Sequence, residues 1–572
     1  MPVLRVLIAV GVGLALADAS VVTLALPPML IDLDTTVEGV AAVIGVYTFV
    51  LAATLPAAAW LRGRVPDRTL GVAGFGLFAV AGALCATPDA IGSMLAFRGV
   101  QAVGASGALV AGFALLGGDR LWTAAAIFGT AVGPALGGAL TQAFDWRAIF
   151  FFQVPVALAA AAACLLVREG RADEAASRRP QAGPGASHAA PASRRPQAGP
   201  VASHAALAGR RGAIVALACL SAALTGVLFL LVLLLVSGWS VEPLAAAAAV
   251  SVLPVAALAG ARIRGDAAVR ASAGCALVGA GVLALAALPD ASAAWIVAPQ
   301  LLAGIGMGMA LPALAGELLP ERTPRQAAGL LSFRHAGITL ALLALAPVAA
   351  AQLDRAIDDV REQGAALILD ARLPPLEKVQ LAGPLLADFD PADPRDGLRR
   401  ALDKQAPRFA DDPEQRREYA HLTQRADDAL LAGIDSAFRI AFLIAGGLAL
   451  VGAVAALPAS PRGRTVAIAV AAGALALPVV HAVVRPQVAP EPVVIADPCK
   501  PRALPDTGGL GGLVQDQALA ALDRAACRFG SSREELALAL ASKEYARAYQ
   551  RAHGVDPRSV GGLLEALGIN AG

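Results

Sequence analysis

The sequence predicts an all-α integral membrane protein of two six-helix bundles, one extra C-terminal transmembrane helix and small helical segments outside the membrane. Three observations predict this fold class. Of 572 residues, 57% are hydrophobic and 16% are charged, against about 25% charged in soluble domains. The apolar residues form continuous runs, which favours helices over the alternating strands of a membrane barrel. Arginines also concentrate in every second connecting loop.

The same composition argues against several classes of protein. A soluble core cannot bury this much apolar surface, and a net charge of +2 gives no indication of a nucleic-acid partner. No lysine follows a glycine, so the chain has no Gly-Lys-Ser/Thr phosphate loop. It also has no His-Glu-x-x-His zinc signature and no nucleophile elbow. We therefore expect no catalytic residues, no metal and no cofactor, and interpret the chain as a non-enzyme.

Thirteen apolar stretches are long enough to cross the membrane, because a helix needs about 20 residues to span roughly 30 Å of hydrocarbon. The first is not typical of a cleaved signal peptide, since it is long and carries Asp18 in its interior. The predicted spans are 4–27, 39–60, 70–87, 91–115, 122–142, 148–167, 212–236, 243–261, 271–288, 293–316, 328–351, 437–457 and 465–484.

Loop charges predict the orientation of these spans. With a cytoplasmic N-terminus, the inside loops hold most of the loop arginines and the short outside loops hold acids, Arg147 being the exception. This bias follows the positive-inside rule. It predicts a multi-pass protein of the cell membrane whose C-terminus is extracytoplasmic. The outside acids are Asp32, Asp34, Glu38, Asp89, Glu242 and Asp290.

The predicted order of domains follows from the spans and the segments between them. The linker contains a tandem repeat of period sixteen, ASRRPQAGPGASHAA followed by ASRRPQAGPVASHAA, a composition typical of disorder. The domains are an N-terminal bundle (1–167), a disordered cytoplasmic linker (168–211), helices 7–11 of the second bundle (212–352), an extracytoplasmic helical insert (353–435), helix 12 (436–458), an extra helix 13 (464–485) and an extracytoplasmic helical tail (486–572).

Three segments of the first half carry a family resemblance. They read DASVVTLALP from Asp18, RGVQAVGA from Arg98, and GTAVGPALGG from Gly129, the last followed by DWRAIFFFQVP. They resemble signature segments of the major facilitator superfamily, specifically its drug:proton antiporter branch with fourteen helices. GWSVEP from Gly238 and FRHAG from Phe333 are similar to the second half of that branch. The resemblance covers roughly residues 5–460.

Asp18 and Arg98 are the two ionisable groups expected deep in the first bundle. An ionised Asp near the bilayer centre costs roughly 2.5–3.5 kcal/mol on insertion scales, so it normally faces a cavity or a partner. A rise of 1.5 Å per residue places both side chains at similar depth. We expect them to meet directly, through water or through Gln101. Either Asp18 takes up and releases a proton during a transport cycle, or the pair only fixes helix 1 against helix 4.

Glycines recur every fourth residue in helix 5, at Gly129, Gly133 and Gly137. Such a stripe makes a flat face on which a neighbouring backbone can approach closely, and Pro134 bends the helix. The stripe could be an ordinary small-residue contact. The resemblance instead implies that it forms, with Gly138, the antiport segment that packs helix 5 against helix 8.

The loop between helices 2 and 3 departs from the family pattern. Gly63 stands where the family has an acid, and Asp67 replaces that acid only if the loop is shifted. The predicted gating residues are Arg64, Asp67 and Arg68 in this loop, with Arg334 and His335 near the cytoplasmic end of helix 11. His335 either titrates near neutral pH or is a plain boundary residue.

The two outer segments read as helical. Residues 353–435 hold 18 acids and 12 bases, a third of all charges in the chain, and predict either a solvated cap or a lid that gates substrate or docks a protein partner. In the tail, Ser532 and Glu535 form a capping box before a helix running to His553, and a further helix begins at 556. Cys499 and Cys527 are expected to form a disulfide in an oxidising compartment.

The resemblance implies a proton-coupled secondary active exporter of hydrophobic small molecules or drugs, working by alternating access. Its partners would be the lipid bilayer, protons, a small hydrophobic substrate and, through either outer segment, an extracytoplasmic protein. Export of a lipid or siderophore fits the sequence equally well. The unusual loop and the outer segments also admit a non-transporting scaffold or sensor, and the weakest alternative is an anchored extracellular enzyme.

Overall fold

The computed structural model describes residues 2–118, 120–167, 200–387, 394–505 and 507–559. The regular secondary structure of these residues is helical throughout, with no strand among them. The α-helices are α1 (Pro2–Thr23), α2 (Leu26–Asp32), α3 (Val37–Leu61), α4 (Asp67–Cys85), α5 (Ile91–Leu116), α6 (Arg120–Ala143), α7 (Arg147–Leu166), α8 (Pro200–Leu233), α9 (Pro243–Gly260), α10 (Ala267–Leu285), α11 (Ala293–Leu318), α12 (Pro324–Asp370), α13 (Pro375–Ala387), α14 (Pro394–Gln405), α15 (Pro413–Ala455), α16 (Pro461–Ala474), α17 (Ala476–Val488), α18 (Gly509–Phe529), α19 (Arg533–Ala541) and α20 (Lys543–His553).

Helices that are long and apolar enough to cross a membrane dominate the fold. Within the described residues twelve stretches meet this description, α16 and α17 together forming one of them, Pro461–Val488. Helix α6 adds a 24-residue helix at the place of the fifth predicted span. The structure therefore confirms the predicted all-α membrane fold. Pro461–Val488 is the least buried of the twelve, as expected for a helix added outside two bundles.

The spans form two bundles that meet along matching pairs of helices. The first bundle comprises α1 and α3–α7, and the second comprises α8–α12 and α15. Across the interface α3 packs against α12, and α6 packs against α9. These are helices 2 and 11, and helices 5 and 8, of the twelve-helix core, so the second helix of each half packs against the fifth helix of the other half.

The two longest helices continue from the membrane into the insert. Helix α12 has 47 residues and α15 has 43, so α12 is about 70 Å long. The polar stretches at 354–366 and 413–428 are therefore continuations of the helices that form the eleventh and twelfth spans, and not separate helices of the insert. The reason is local: no proline follows Pro347 until Pro374, and Pro413 starts α15 behind the capping side chain of Asp412.

The described part of the insert, here called the cap, comprises residues 353–387 and 394–435. It has a small core of its own in which Phe409 stacks on Tyr419 with ring centroids 4.5 Å apart. The tail domain, residues 489–505 and 507–559, packs against it through α12 and α19. Arg533 Nη2 lies 2.6 Å from Asp370 Oδ1, and Ser532 donates a hydrogen bond to Glu362. Cap and tail domain therefore lie on the same side of the membrane-spanning bundles.

The tail domain differs from the sequence prediction in one helix. The predicted helix from Ser532 to His553 is two helices, α19 and α20, because the extended Ser542 caps the second by accepting a hydrogen bond from the Glu544 backbone amide. Cys499 and Cys527 form a disulfide with their Cα atoms 5.0 Å apart, which joins the start of the tail domain to α18. The helix predicted from residue 556 falls largely outside the described residues.

The linker lies mostly outside the described residues, which resume at residue 200. Helix α8 begins at Pro200. Residues 200–211, predicted as part of a disordered linker, are therefore helical and continue directly into the seventh span. Alanine is frequent in this stretch, and alanine has the highest helix propensity.

Candidate functional site

A buried polar network joins three helices of the first bundle. Asp18 lies on α1, Arg98 on α5 and Gln153 on α7, each at most 1% exposed. Arg98 donates from Nη1 to Asp18 Oδ1 at 3.1 Å and from Nη2 to Asp18 Oδ2 at 2.5 Å. Gln153 Nε2 donates to Asp18 Oδ1 at 3.0 Å. The carboxylate thus accepts three hydrogen bonds, which compensates the loss of water around it.

Gln101 closes the network from one turn further along α5. Arg98 Nη1 donates to Gln101 Oε1 at 2.6 Å, and Gln101 Nε2 donates to Gln153 Oε1 at 2.8 Å. The structure therefore brings the three predicted residues together in one network, in which Arg98 contacts both Asp18 and Gln101. Because each member holds two others, a change in the charge of Asp18 would reorganise hydrogen bonds on three helices at once.

Aromatic rings and a backbone carbonyl complete the surroundings of Arg98. Its Nε donates to the carbonyl of Val43 at 3.1 Å. Its guanidinium carbon lies 4.3 Å from the ring centroid of Tyr47 and 5.6 Å from that of Phe150. Tyr47 donates to the carbonyl of Ala15 on α1 at 3.0 Å. Arg98 is thereby fixed on several sides.

The glycines of α6 face α1. A Cβ added at Gly129 or Gly137 would collide with the backbone carbonyl of Gly13 or Val21, and one at Gly133 with Ser20 Oγ. Gly138, the residue after the stripe, faces α9 instead, where an added Cβ would collide with the Ala247 side chain and the Pro243 carbonyl. The stripe itself thus packs helix 5 on helix 1, and the implied packing against helix 8 falls to Gly138. Helix α1 carries Asp18, so the helix with the buried carboxylate packs on a face of α6 that has no side chains at these three positions.

A cavity of about 90 Å³ lies between the two bundles. Ser20 of α1 and Pro134 of α6 line it from the first half, and Gln300, Arg334 and His335 line it from the second. Leu16 and Ala19 of α1 line it as well, on either side of Asp18 in the sequence. Helix α1 therefore connects the buried carboxylate with the space between the bundles.

Arg334 and His335 lie deeper than the sequence predicts. They are the eleventh and twelfth residues of α12, about 15 Å along the helix from its start, and they line the central cavity. His335 Nδ1 donates to the carbonyl of Leu331 at 2.7 Å. Arg334 forms no hydrogen bond or ion pair with any described residue. It is the single charged side chain among the described residues that line this cavity.

Hydrogen bonds also join the two halves directly. Thr48 on α3 and Thr339 on α12 share a hydrogen bond between their hydroxyls at 2.9 Å, next to Ile338, which lines the central cavity. At the C-terminal end of α6, Gln142 accepts a hydrogen bond from the Leu244 backbone amide at 2.8 Å and donates to Glu242 at 3.3 Å. The halves are thus held together at the central cavity and at this end of α6.

The loop between α3 and α4 contains its own ion pair. Arg62 donates to Asp67 from Nε at 2.7 Å and from Nη2 at 3.0 Å. The guanidinium of Arg64 lies over the Trp60 ring, 3.5 Å from its centroid, and Arg68 is half-buried. The carboxylate of Asp67 is thus engaged within its own loop, and this is where the structure places the three predicted gating residues.

Arg147, the exception to the loop-charge pattern, is neutralised by neighbouring loops. It lies 3.1 Å from Asp89 and 3.5 Å from Asp32. Trp146 is 1% exposed and donates to Asp32 at 2.8 Å. Trp146 and Arg147 therefore connect three loops of the first bundle. A Trp-Arg pair at a membrane boundary more often indicates an anchor in the lipid interface.

Gln153 and Tyr47 are the members of the site that the sequence did not single out. A signal existed for Gln153, since it is the one polar side chain in the sequence Ala148–Pro155 of an otherwise apolar span. The sequence held no comparable signal for Tyr47, because a tyrosine in a membrane helix is common. No group of three or more potential metal ligands occurs in the described ranges.

Comparison with known proteins agrees with this arrangement. The family model of the Major Facilitator Superfamily matches residues 8–345. Two solved structures of a bacterial homologue of the human lysosomal transporter Spinster, inward-facing and either unoccupied or occupied, each superpose with a TM-score of 0.51 at 14% identity. The first covers 79% of this chain and 97% of that one. At this identity the likeness shows the fold alone.

Curated relatives match the chain over shorter stretches. It is 31% identical over 166 residues to the multidrug resistance protein Stp of Mycobacterium tuberculosis, which is 27% of this chain and 31% of that protein. It is 32% identical over 184 residues to the tetracenomycin C resistance and export protein of Streptomyces glaucescens, 29% of this chain and 33% of that protein. The chain thus spans about a third of the length of these relatives. With its two bundles and a family match over more than half of its length, the chain is a multi-pass membrane protein that belongs to the Major Facilitator Superfamily.

Proposed function

We propose that the chain is a proton-coupled exporter of hydrophobic small molecules that works by alternating access. The observation that carries this proposal is the buried network around Asp18, on a helix that also lines the central cavity. Protonation of Asp18 would remove its charge beside Arg98, loosen three helices and change the packing of α1. Proton binding and cavity shape would then be coupled through one helix.

The small central cavity supports alternating access. Its volume of about 90 Å³ is well below the roughly 300–1,000 Å³ of small-molecule sites, so the bundles must separate to admit a substrate. The glycine face of α6 supports such motion, since α1 can slide there without side chains interlocking. The bias of loop arginines supports a cytoplasmic N-terminus and an extracytoplasmic cap.

The lining of the central cavity suggests the class of substrate. It is mainly aliphatic, and Arg334 is a cation without a partner in the described residues. A permanent positive charge in an apolar site repels cations and attracts anions or strong hydrogen-bond acceptors. A lipophilic compound with an acidic or acceptor group fits this site better than a lipophilic cation. A lipid or a siderophore of that chemistry is included.

A transport assay in inverted membrane vesicles tests the proposal. The first probes are tetracenomycin C and methylenomycin A, because two relatives of the chain are named as resistance proteins for these compounds. Addition of a transported probe should dissipate an imposed pH gradient, and Asp18→Asn should abolish that response while leaving probe binding measurable. A response that persists in Asp18→Asn would remove this carboxylate from the coupling role.

The cap favours a second candidate, a non-transporting scaffold or sensor. Two membrane helices continue without a break into the cap, so a ligand or partner bound there could change the bundles mechanically. The same vesicles separate the candidates across a wider compound panel. A sensor would show binding-dependent changes in the bundles, and no compound of the panel would drive a proton flux.

A further inference from the structure

A second and larger cavity lies between the cap and the tail domain. Its volume is about 520 Å³, within the range of small-molecule sites. The cap contributes Leu367 and Leu422 to its wall, and the tail domain contributes Leu522 and Leu538. The cavity therefore exists only while the tail domain is docked on α12.

This cavity lies outside the membrane-spanning part of the chain. Its lining on α12 runs from Val360 to Leu369, about 12–25 Å along the helix from residue 352, where the apolar span ends. Charged side chains flank it on the same helix, among them Asp354 and Asp358. Bilayer lipid cannot surround such a segment, so an apolar cavity of this size faces water unless a ligand fills it.

The chemistry of the wall is uniform. The described lining residues are aliphatic or glycine apart from two cations, Arg361 and Lys378, and include neither an aromatic ring nor an acid. A wall without rings offers no stacking surface for a flat aromatic ligand. It suits a flexible hydrocarbon chain, whose contacts are non-directional.

Lys378 defines the polar end of the site. Lys378 is 5% exposed, and its Nζ donates to the carbonyl of Leu369 at 2.7 Å. It forms no ion pair with any residue that the structure describes. Val379 lines the same cavity and is 74% exposed. The cavity thus opens to the surface next to a buried ammonium group with donors to spare.

We propose that this cavity binds an amphiphile with a long aliphatic chain and an anionic head group, the chain lying between α12, α15 and α19 and the head at Lys378. The site is separate from the central cavity, so direct binding tests it whether or not the chain exports anything. A bilayer phospholipid and a free carboxylate or phosphate amphiphile share this chemistry.

Photolabelling of the full chain in phosphatidylcholine nanodiscs tests the proposal. One arm uses palmitic acid with a diazirine in its chain, and the other uses phosphatidylglycerol with the diazirine in one acyl chain. Peptide mass spectrometry should place labels at 360–369 and 422–429. Unlabelled palmitic acid should compete at least ten-fold better than hexadecanol or hexadecyltrimethylammonium. Labels from the phospholipid arm assign the ligand to the bilayer, and labels from the palmitate arm alone assign it to a free amphiphile.

Gly364 allows the cavity to be filled without disturbing the fold. A Cβ added there meets nothing within 4 Å, and Gly364 lines the cavity. Gly364→Phe should abolish cap labelling, while Gly447→Phe, at an equally open glycine in the membrane part of α15, should retain it. Lys378→Met should weaken palmitate competition about ten-fold and leave hexadecanol unchanged.

Three results would overturn the proposal. The cavity is not the site if neither probe labels the cap, or if Gly364→Phe labels as strongly as Gly447→Phe while melting at the temperature of the unmodified protein. Equal competition by the acid, the alcohol and the ammonium compound would refute the assignment of an anionic head.

Discussion

Asp18 and Arg98 form a two-pronged ion pair between α1 and α5, with Nη1–Oδ1 and Nη2–Oδ2 distances of 3.1 and 2.5 Å and neither side chain exposed. A buried pair is costly to break from one side, since the remaining charge has no water to return to. Removal of both charges together avoids that cost. Stability and transport therefore respond differently to single and double substitutions here.

We expect Arg98→Met to lower the free energy of unfolding by about 3–5 kcal/mol, because it strands the Asp18 carboxylate. The double variant Asp18→Asn/Arg98→Met should regain most of that loss. It should still fail to couple transport to protons. Thermal unfolding in nanodiscs and vesicle proton flux measure the two effects.

The control for these single and double substitutions is Asp89→Asn. Its carboxylate is 92% exposed and 3.1 Å from Arg147, and an exposed pair contributes at most about 1 kcal/mol. This variant should change neither readout appreciably. Proton-coupled transport by the double variant would show that the buried pair only fixes α1 against α5.

The sequence could predict the Asp18–Arg98 contact for a physical reason. Ionisable groups are so costly in hydrocarbon that two at equal depth have few alternatives to each other. Gln153 carries no charge, so the free-energy cost of leaving it unpaired in the membrane is smaller than for an ionised group. Its depth alone therefore could not assign it a partner. The fold followed from the length of the apolar runs and the loop arginines, both of which are set by the bilayer.

Other features depended on packing that sequence spacing does not contain. The glycine stripe of α6 predicted a close helix contact but not its partner, because Gly129 and Gly137 face α1 while Gly138, one residue on, faces α9. The change from apolar to polar composition near residue 352 predicts a boundary there, whereas α12 continues into the cap. A helix ends at breakers and caps, and composition alone does not end it.

Gly137→Ala should reduce both stability and transport. Its Cβ would collide with the backbone carbonyl of Val21 on α1, and backbone cannot move aside as a flexible side chain does. Overpacking of this kind costs about 1–3 kcal/mol. Melting temperature and vesicle transport are the measurements.

Gly45→Ala is the matched control for this substitution. It is a glycine within helix α3 at which an added Cβ meets nothing within 4 Å. It should melt at or slightly above the temperature of the unmodified protein, because alanine favours the helix. If Gly137→Ala behaves like Gly45→Ala, close packing of α6 on α1 is dispensable.

The Cys499–Cys527 disulfide gives a test of which side the tail domain occupies. Disulfides persist in oxidising compartments. In intact cells, mild reduction should therefore expose two thiols to a membrane-impermeant maleimide. Cys85, Cys164 and Cys275 are buried in the bundles and should stay unlabelled, which gives an internal control.

The opposite labelling pattern would change the topology. Thiols at 499 and 527 that react without reduction, and only after the cells are opened, would place the tail domain in the cytoplasm. Because the tail domain contacts the cap, the cap would then be cytoplasmic as well, and the thirteen crossings would place the N-terminus outside the cell. With the thirteen crossings that we propose, replacement of both cysteines by serine should lower the stability of the tail domain by about 3–4 kcal/mol.

Lys378 makes the stability of the cap depend on pH. Burial lowers the pKa of its ammonium group from 10.5 to about 8. Below pH 8 the group is charged in both the folded and the unfolded chain, and the folded chain bears the full cost of burying that charge. Between pH 8 and 10.5 the unfolded chain binds more protons, so the contribution of Lys378 to stability rises with pH over this window.

We therefore expect Lys378→Met to stabilise the cap at pH 7, by at most about 3 kcal/mol, and to lose this advantage as the pH approaches 10.5. Thermal unfolding of both proteins from pH 7 to 10.5 measures the difference. Lys543→Met, at an exposed lysine of α20, is the control for loss of a lysine outside the cavity. A constant difference between Lys378→Met and the unmodified protein across this range would mean that the ammonium group does not titrate there. We thus expect Lys378→Met to melt at a higher temperature at pH 7 while unlabelled palmitic acid competes poorly for its labelling. In that case the weaker binding of palmitate comes from the lost charge, since the fold around the cavity is intact.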